Sequence, residues 1–200
     1  MRSGKPISRS VKSAGKRDAI IRTAIEIINA KSYAQATMTE IAKSLGLRDA
    51  SLYYYFHDKQ ALVYACHVRS LERFEQLLRE VEQSNRDGLG KLRHFIERML
   101  DDSVENGPQL YFGDHSYLDA RERKAIDAWA ARLTERLECF FCQGIKDGSI
   151  VSCEPALVVQ LLLGMLIWLA KWVPRDMTVD RLMDAIRAVS LHGLESRVKP

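Results

Sequence analysis

Residues 37–62, TMTEIAKSLGLRDASLYYYFHDKQAL, constrain the fold more than any other part of this chain. They read as two short helices joined by a tight turn at Gly46, with a longer helix starting soon after. Thr37 and Glu40 have capping-box spacing, in which two side chains reciprocally satisfy backbone N–H groups at a helix start. Met38, Ile41, Ala42 and Leu45 supply an apolar face. Gly46 predicts the end of that helix, because glycine adopts the left-handed conformation at little cost. The second short helix is expected from about Asp49 or Ala50 to Tyr55, with Asp49 as its N-cap. Leu52 and Phe56 face inward one turn apart. Asp58 is expected to cap the long helix, residues 59–83, whose apolar side includes Leu62, Val63, Cys66, Leu71, Phe74 and Leu78.

The same periodicity continues on both sides of this segment. Residues 16–31 place Ile20, Ala24, Ile27 and Ile28 at helical spacing. Downstream, residues 88–104, 122–145, 154–173 and 178–194 each read as a helix. The breaks between them fall at 84–87, Asn106-Gly107-Pro108, Asp147-Gly148 and Pro174. Residues 109–117 form a less regular stretch, and no run alternates as a strand would. The expected fold is therefore all-α: an N-terminal three-helix domain carrying the helix-turn-helix, residues 16–62, and a C-terminal helical bundle, residues 63–200. Residues 1–15, basic and rich in Ser and Gly, read as a disordered arm.

Charge is divided unevenly between these parts. Residues 1–60 hold 11 Lys/Arg against 5 Asp/Glu, while the remainder holds 19 against 21. A basic first third points to a polyanionic partner for that third; chance and a basic tail are the plainer explanation, since residues 1–17 supply six of the basic side chains. The start has no apolar run of the kind a signal peptide needs. The longest apolar run, residues 156–170, is broken by Gln160 and is shorter than the roughly 18–20 residues that span a bilayer. A cytoplasmic protein with no membrane partner is expected. Cys66, Cys139, Cys142 and Cys153 read as reduced thiols, and the Cys139-x-x-Cys142 pair lacks the further ligands of a zinc site. No metal and no cofactor is expected. No catalytic motif appears: there is no HExxH, no Gly-rich phosphate loop, and no nucleophile beside a base at motif spacing.

A helix-turn-helix places its second helix in the major groove, with the first residues of that helix on base edges. Here those residues are Arg48, Asp49, Ala50 and Ser51. Ala50 and Ser51 are small enough for close approach, and Arg48 could donate two hydrogen bonds to one guanine. Tyr53 and Tyr54 are candidates for phosphate and base contact through their hydroxyls, with Tyr55 partly buried. Lys59, at a helix start, and Thr37 and Thr39, at another, lie where backbone N–H groups already favour a phosphate. An amphipathic rim around a small core would also account for the three tyrosines, and a solvated charge for Lys59.

Residues 16–62 resemble the DNA-binding domain of the TetR family of transcriptional regulators. The likeness rests on the first helix and Tyr33, on Thr37, Ile41, Ala42, Gly46 and Leu47 at family spacing, and on the L-Y-Y-Y-F-x-x-K-x-x-L end from Leu52 to Leu62. Arg48 and Ala50 stand where the family often has Ser and Gly, which moves the expected N-cap to Asp49. By position, Tyr53, Lys59 and the Thr37 helix start match phosphate contacts. The resemblance implies that residues 63–200 bind a small molecule and form a homodimer through helices 154–173 and 178–194. The first of these helices is apolar nearly all round, which independently calls for cover on every side; a central helix in a monomeric bundle would also meet that demand. Two recognition helices would then face half-sites about 34–36 Å apart on a double-stranded operator, and helix 59–83, joining the domains, would carry the switch. Candidate effector contacts are Phe95, Met99, Tyr111, Phe112, His115, Trp129, Leu133, Met165 and Trp168. The function implied is a ligand-responsive DNA-binding regulator, a repressor released from its operator by a small apolar, acyl or aromatic effector. An architectural DNA binder without effector and a helical enzyme are the alternatives.

Overall fold

A computed structural model describes residues 9–110, 115–172 and 177–191. Among these residues the regular structure is entirely helical apart from an isolated bridge at Ile150. The helices are α1 (Arg9–Lys31), α2 (Met38–Ser44), α3 (Asp49–Tyr55), α4 (Lys59–Glu82), α5 (Gly88–Asn106), α6 (Ala120–Asp147), α7 (Pro155–Trp172) and α8 (Val179–Ile186). A π-helical turn, Arg187–Leu191, follows α8. The chain forms two compact units that divide between His67 and Val68, against an expected junction at 62–63; α4 begins in the first and continues into the second.

The first unit is built on local signals. Thr37 has an extended backbone and its side chain accepts from the Glu40 N–H at 3.2 Å, so the expected cap forms. Gly46 adopts φ +62° and turns the chain out of α2. Asp58 accepts from the Ala61 N–H at 2.7 Å and starts α4. Ile20, Ile21, Ala24, Ile25 and Ile28 of α1 close over Ile41 and Ala42 of α2, Leu52 of α3, and Leu62 and Cys66 of α4, all buried. Complete burial of a side chain such as Leu52 contributes about 2–3 kcal/mol.

Three expectations are corrected here. Helix α1 starts at Arg9, so residues 9–15 of the expected disordered arm are helical, while residues 1–8 lie outside the described residues. On that helix Ile25 rather than Ile27 is fully buried, because the buried stripe centres on Ala24 and Ile28 and leaves Ile27 at its edge. Asp49 is not the N-cap of α3. Arg48 holds that position with an extended backbone and no side-chain cap, and Asp49 is the first helical residue. The Asp49 carboxylate instead accepts the Thr39 hydroxyl at 2.7 Å, joining the starts of α2 and α3.

The second unit packs α6 against α5 and α7, and α8 against α5. The α5–α6 joint is unusually close: a Cβ on Gly88 would stand 2.1 Å from the Gly144 nitrogen and 2.6 Å from the Phe140 carbonyl oxygen. Hydrogen bonds hold the same joint, with the Gly88 N–H donating to Asp147 Oδ2 at 2.9 Å and the Leu89 N–H to Ser149 Oγ at 3.1 Å. At the other end of α5, Arg73 of α4 makes a part-buried ion pair with Asp102 and also donates to the carbonyls of Asp102 and Gly107 at 3.0 and 2.8 Å. It thereby satisfies carbonyls that the end of α5 leaves without helical partners. Ser70 Oγ accepts from the Leu110 N–H at 2.9 Å beside it.

Helix α7 is not covered on all sides within one chain. Val159, Leu162, Leu163 and Leu166 are buried, whereas Leu157, Leu161, Gly164 and Trp168 are exposed. Their spacing of four, three and four residues makes one stripe. The expected last helix, 178–194, straightens into α8 and then widens into the π turn at Arg187; residues 192–194 lie outside the described residues.

Candidate functional site

The first candidate surface is the helix-turn-helix. Thr37, Thr39, Arg48, Asp49 and Ala50 are exposed and Ser51 is half-buried. Tyr53 is 50% and Tyr54 81% exposed, while Tyr55 is half-buried with its ring edge-on to that of Tyr54 at 5.2 Å. Aromatics left this open at a helix end take no part in the core, which sets them apart from Leu52 and Phe56 beside them. Among the described residues Arg48 and Lys43 make no ion pair, so both retain free charge. Lys43 lies on the exposed side of α2, outside the contact positions expected from the motif.

Lys59 is more engaged than a surface charge. Its Nζ donates to the Tyr33 carbonyl and stands 4.0 Å from the centre of the Tyr33 ring. Burial lowers its pKa. Lys59 therefore ties the start of α4 to the loop after α1, a role that its place in the sequence did not show. Arg17, likewise outside the expected contact positions, lays its guanidinium 4.8 Å from the centre of the Phe56 ring.

The second candidate surface is a cleft of about 520 Å³ in the helical bundle. Leu71 and Phe74 of α4, Leu133 of α6, and Leu163 and Ile167 of α7 form its apolar wall. His115, Thr134, Glu135, Glu138 and Gln160 are its polar lining. Of the effector contacts expected from the sequence, His115 and Leu133 meet there. Phe95 and Met99 do not: both are buried core, and the Phe95 ring packs edge-on to Phe74 at 5.1 Å. Trp129 lines a separate cleft with Glu75, Arg132 and Arg136. Trp168 lies on the exposed stripe of α7, and Met165 receives the Ser190 hydroxyl at 3.6 Å. Tyr111 and Phe112 lie outside the described residues. Residue type suggested these side chains, but the face each occupies decides which ones share a cleft. His115 Nδ1 is 2.9 Å from Asp127 Oδ1, which fixes the ring in place.

Among the described residues no His, Cys, Asp and Glu cluster could hold a metal ion, and no helix is long and apolar enough to cross a membrane.

A helix-turn-helix unit joined by a shared helix to a bundle with an apolar cleft is the build of a ligand-binding transcriptional regulator. The chain belongs to the tetR family of bacterial regulatory proteins: that family's DNA-binding model matches residues 20–66, and the model for the tetracyclin repressor-like C-terminal domain matches residues 85–194. The fatty acid metabolism regulator protein of Bacillus subtilis (strain 168) is 22% identical over 192 residues, covering 89% of this chain and 95% of its own. The crystal structure of AibR in complex with isovaleryl coenzyme A and operator DNA is 26% identical, with a TM-score of 0.72 over 86% of this chain and 95% of that one. The ketosteroid transcriptional regulator KstR2 of Mycobacterium tuberculosis shares the fold, with a TM-score of 0.76 at 16% identity over 96% of this chain and 98% of its own.

Proposed function

We propose that the protein is a homodimeric repressor, released from its operator when an apolar acyl-type effector enters the cleft between α4, α6 and α7. The observation that carries this reading is the source of the cleft wall. Helix α4 starts in the helix-turn-helix unit at Lys59 and supplies Leu71 and Phe74 to the cleft. An effector that repositions those side chains acts on a helix continuous with the DNA-binding unit. The required coupling is a few kcal/mol of preference for the released state. The fatty acid metabolism regulator and the isovaleryl coenzyme A complex among the relatives support an acyl effector.

In this reading Arg48 and Ser51 reach base edges, while Tyr53, Tyr54, Lys59 and the Thr37–Thr39 helix start hold phosphates. The exposed stripe of α7, with Val189 after α8, is the surface that a second copy covers. Fluorescence anisotropy on a duplex selected for binding from random sequence tests the proposal. Decanoyl-coenzyme A at saturation is expected to weaken duplex affinity at least tenfold. Unchanged affinity across acyl chains from about four to about sixteen carbons, a span bounded by cleft size, would sink the effector assignment.

A further inference from the structure

We propose that the cleft selects its guest by charge: it takes an apolar body whose polar end is cationic or uncharged, and it rejects one that ends in a carboxylate. This rests on the reading of the cleft as the effector site.

The selection follows from which charges of the bundle are left unpaired. Glu135 and Glu138, three residues apart on α6, both line the cleft, with Gln160 of α7 in the same lining. Among the described residues neither glutamate makes an ion pair. Carboxylates elsewhere on α4 behave differently. Glu75 and Glu82 share Arg136, and Glu80 is bound by Arg98. Arg136 and Arg98 are thus held by other acids, and Arg132, which makes no ion pair among the described residues, lines the separate cleft with Trp129. Among the described residues no Lys or Arg lines the cleft itself. Of its other polar groups, the Thr134 hydroxyl donates to the Ala130 carbonyl at 3.0 Å and His115 meets Asp127, while the Gln160 amide makes no hydrogen bond among the described residues.

A carboxylate brought beside these glutamates meets like charge with no counterion built in. At a half-exposed site one such neighbour weakens binding on the order of tenfold. A quaternary ammonium gains by a similar factor. A hydroxyl or thioester is indifferent to the charge. An acyl thioester would thus place its uncharged end in the cleft and keep its diphosphate outside.

Four ten-carbon probes test this by calorimetry on the full chain at low salt, below micellar concentrations: decyltrimethylammonium, decanol, decanoate and decanoyl-coenzyme A. The first two should bind at least about tenfold more tightly than decanoate, and the gap should narrow as salt is added. The double variant E135Q/E138Q should lose most of that discrimination, with decanoate tighter and the ammonium weaker by roughly tenfold each. Its folding is checked by an unchanged melting curve, since Glu135 is exposed and Glu138 half-buried. Decanoate bound by the wild type as tightly as decanol overturns the charge selection, and so does a ratio that the double variant leaves unaltered. Binding of none of the four probes overturns the effector reading of the cleft, and the selection falls with it.

Discussion

Tyr53 and Lys59 look alike as candidates for phosphate contact but differ in what else they touch. Tyr53 is half exposed, so Tyr53→Phe should weaken duplex binding while leaving the melting temperature unchanged. Lys59 holds the Tyr33 carbonyl and ring. Lys59→Ala should therefore lower stability by about 1 kcal/mol and also reduce the log–log salt slope of DNA binding by about one unit. A full slope retained in Lys59→Ala would confine this lysine to a packing role. What was legible at this scale was whatever acts over three or four residues. The Thr37 and Asp58 caps and the Gly46 turn were readable because each cap meets its acceptor or donor within one helical turn. Asp49 was misread because its partner, Thr39, lies ten residues away on another helix. Lys59 and Tyr33, 26 residues apart, are the same kind of case.

Helices as elements followed their apolar periodicity closely, from α2 through α7. How they are fastened to one another did not show in the sequence. Asp147, at the end of α6, is an example. Burial alone would raise its pKa, but the Ser149 hydroxyl, the N–H groups of Gly88 and Ser149, and the charge of Lys91 outweigh this and hold it below the ordinary carboxylate value. A carboxylate with a depressed folded pKa contributes stability at neutral pH, and that contribution is lost as pH falls through the folded value. Asp147→Asn should therefore lower the melting temperature at neutral pH and narrow its gap to the wild type below about pH 4. A gap constant from pH 7 to 3, followed by circular dichroism, would contradict this account. The π turn after α8 was equally invisible, because widening a helix by one residue leaves its apolar spacing nearly intact over so short a span.

At the scale of the whole molecule, the apolar composition of α7 announced that something must cover it, and the structure shows which side is left open in one chain. Leu161, 67% exposed, lies midway along that stripe. Leu161→Arg should yield a monomer by sedimentation at micromolar concentration and weaken operator binding sharply, with little change in helix content. A variant that still sediments as a dimer would place the interface elsewhere. The cleft was only half legible, since aromatic and soft residues serve core and pocket alike; Phe95 and Trp129 went to different places for reasons of helix face alone. The Gly88–Gly144 contact has a further consequence. It fixes α5 and α6 backbone to backbone at one end, while Leu133 stands eleven residues along α6, about 16 Å away. The two helices make a caliper with a tight rivet. A swing of about 5° at the rivet moves α6 at Leu133 by about 1.4 Å, so in the proposed effector response a bulkier guest would widen the angle between the helices.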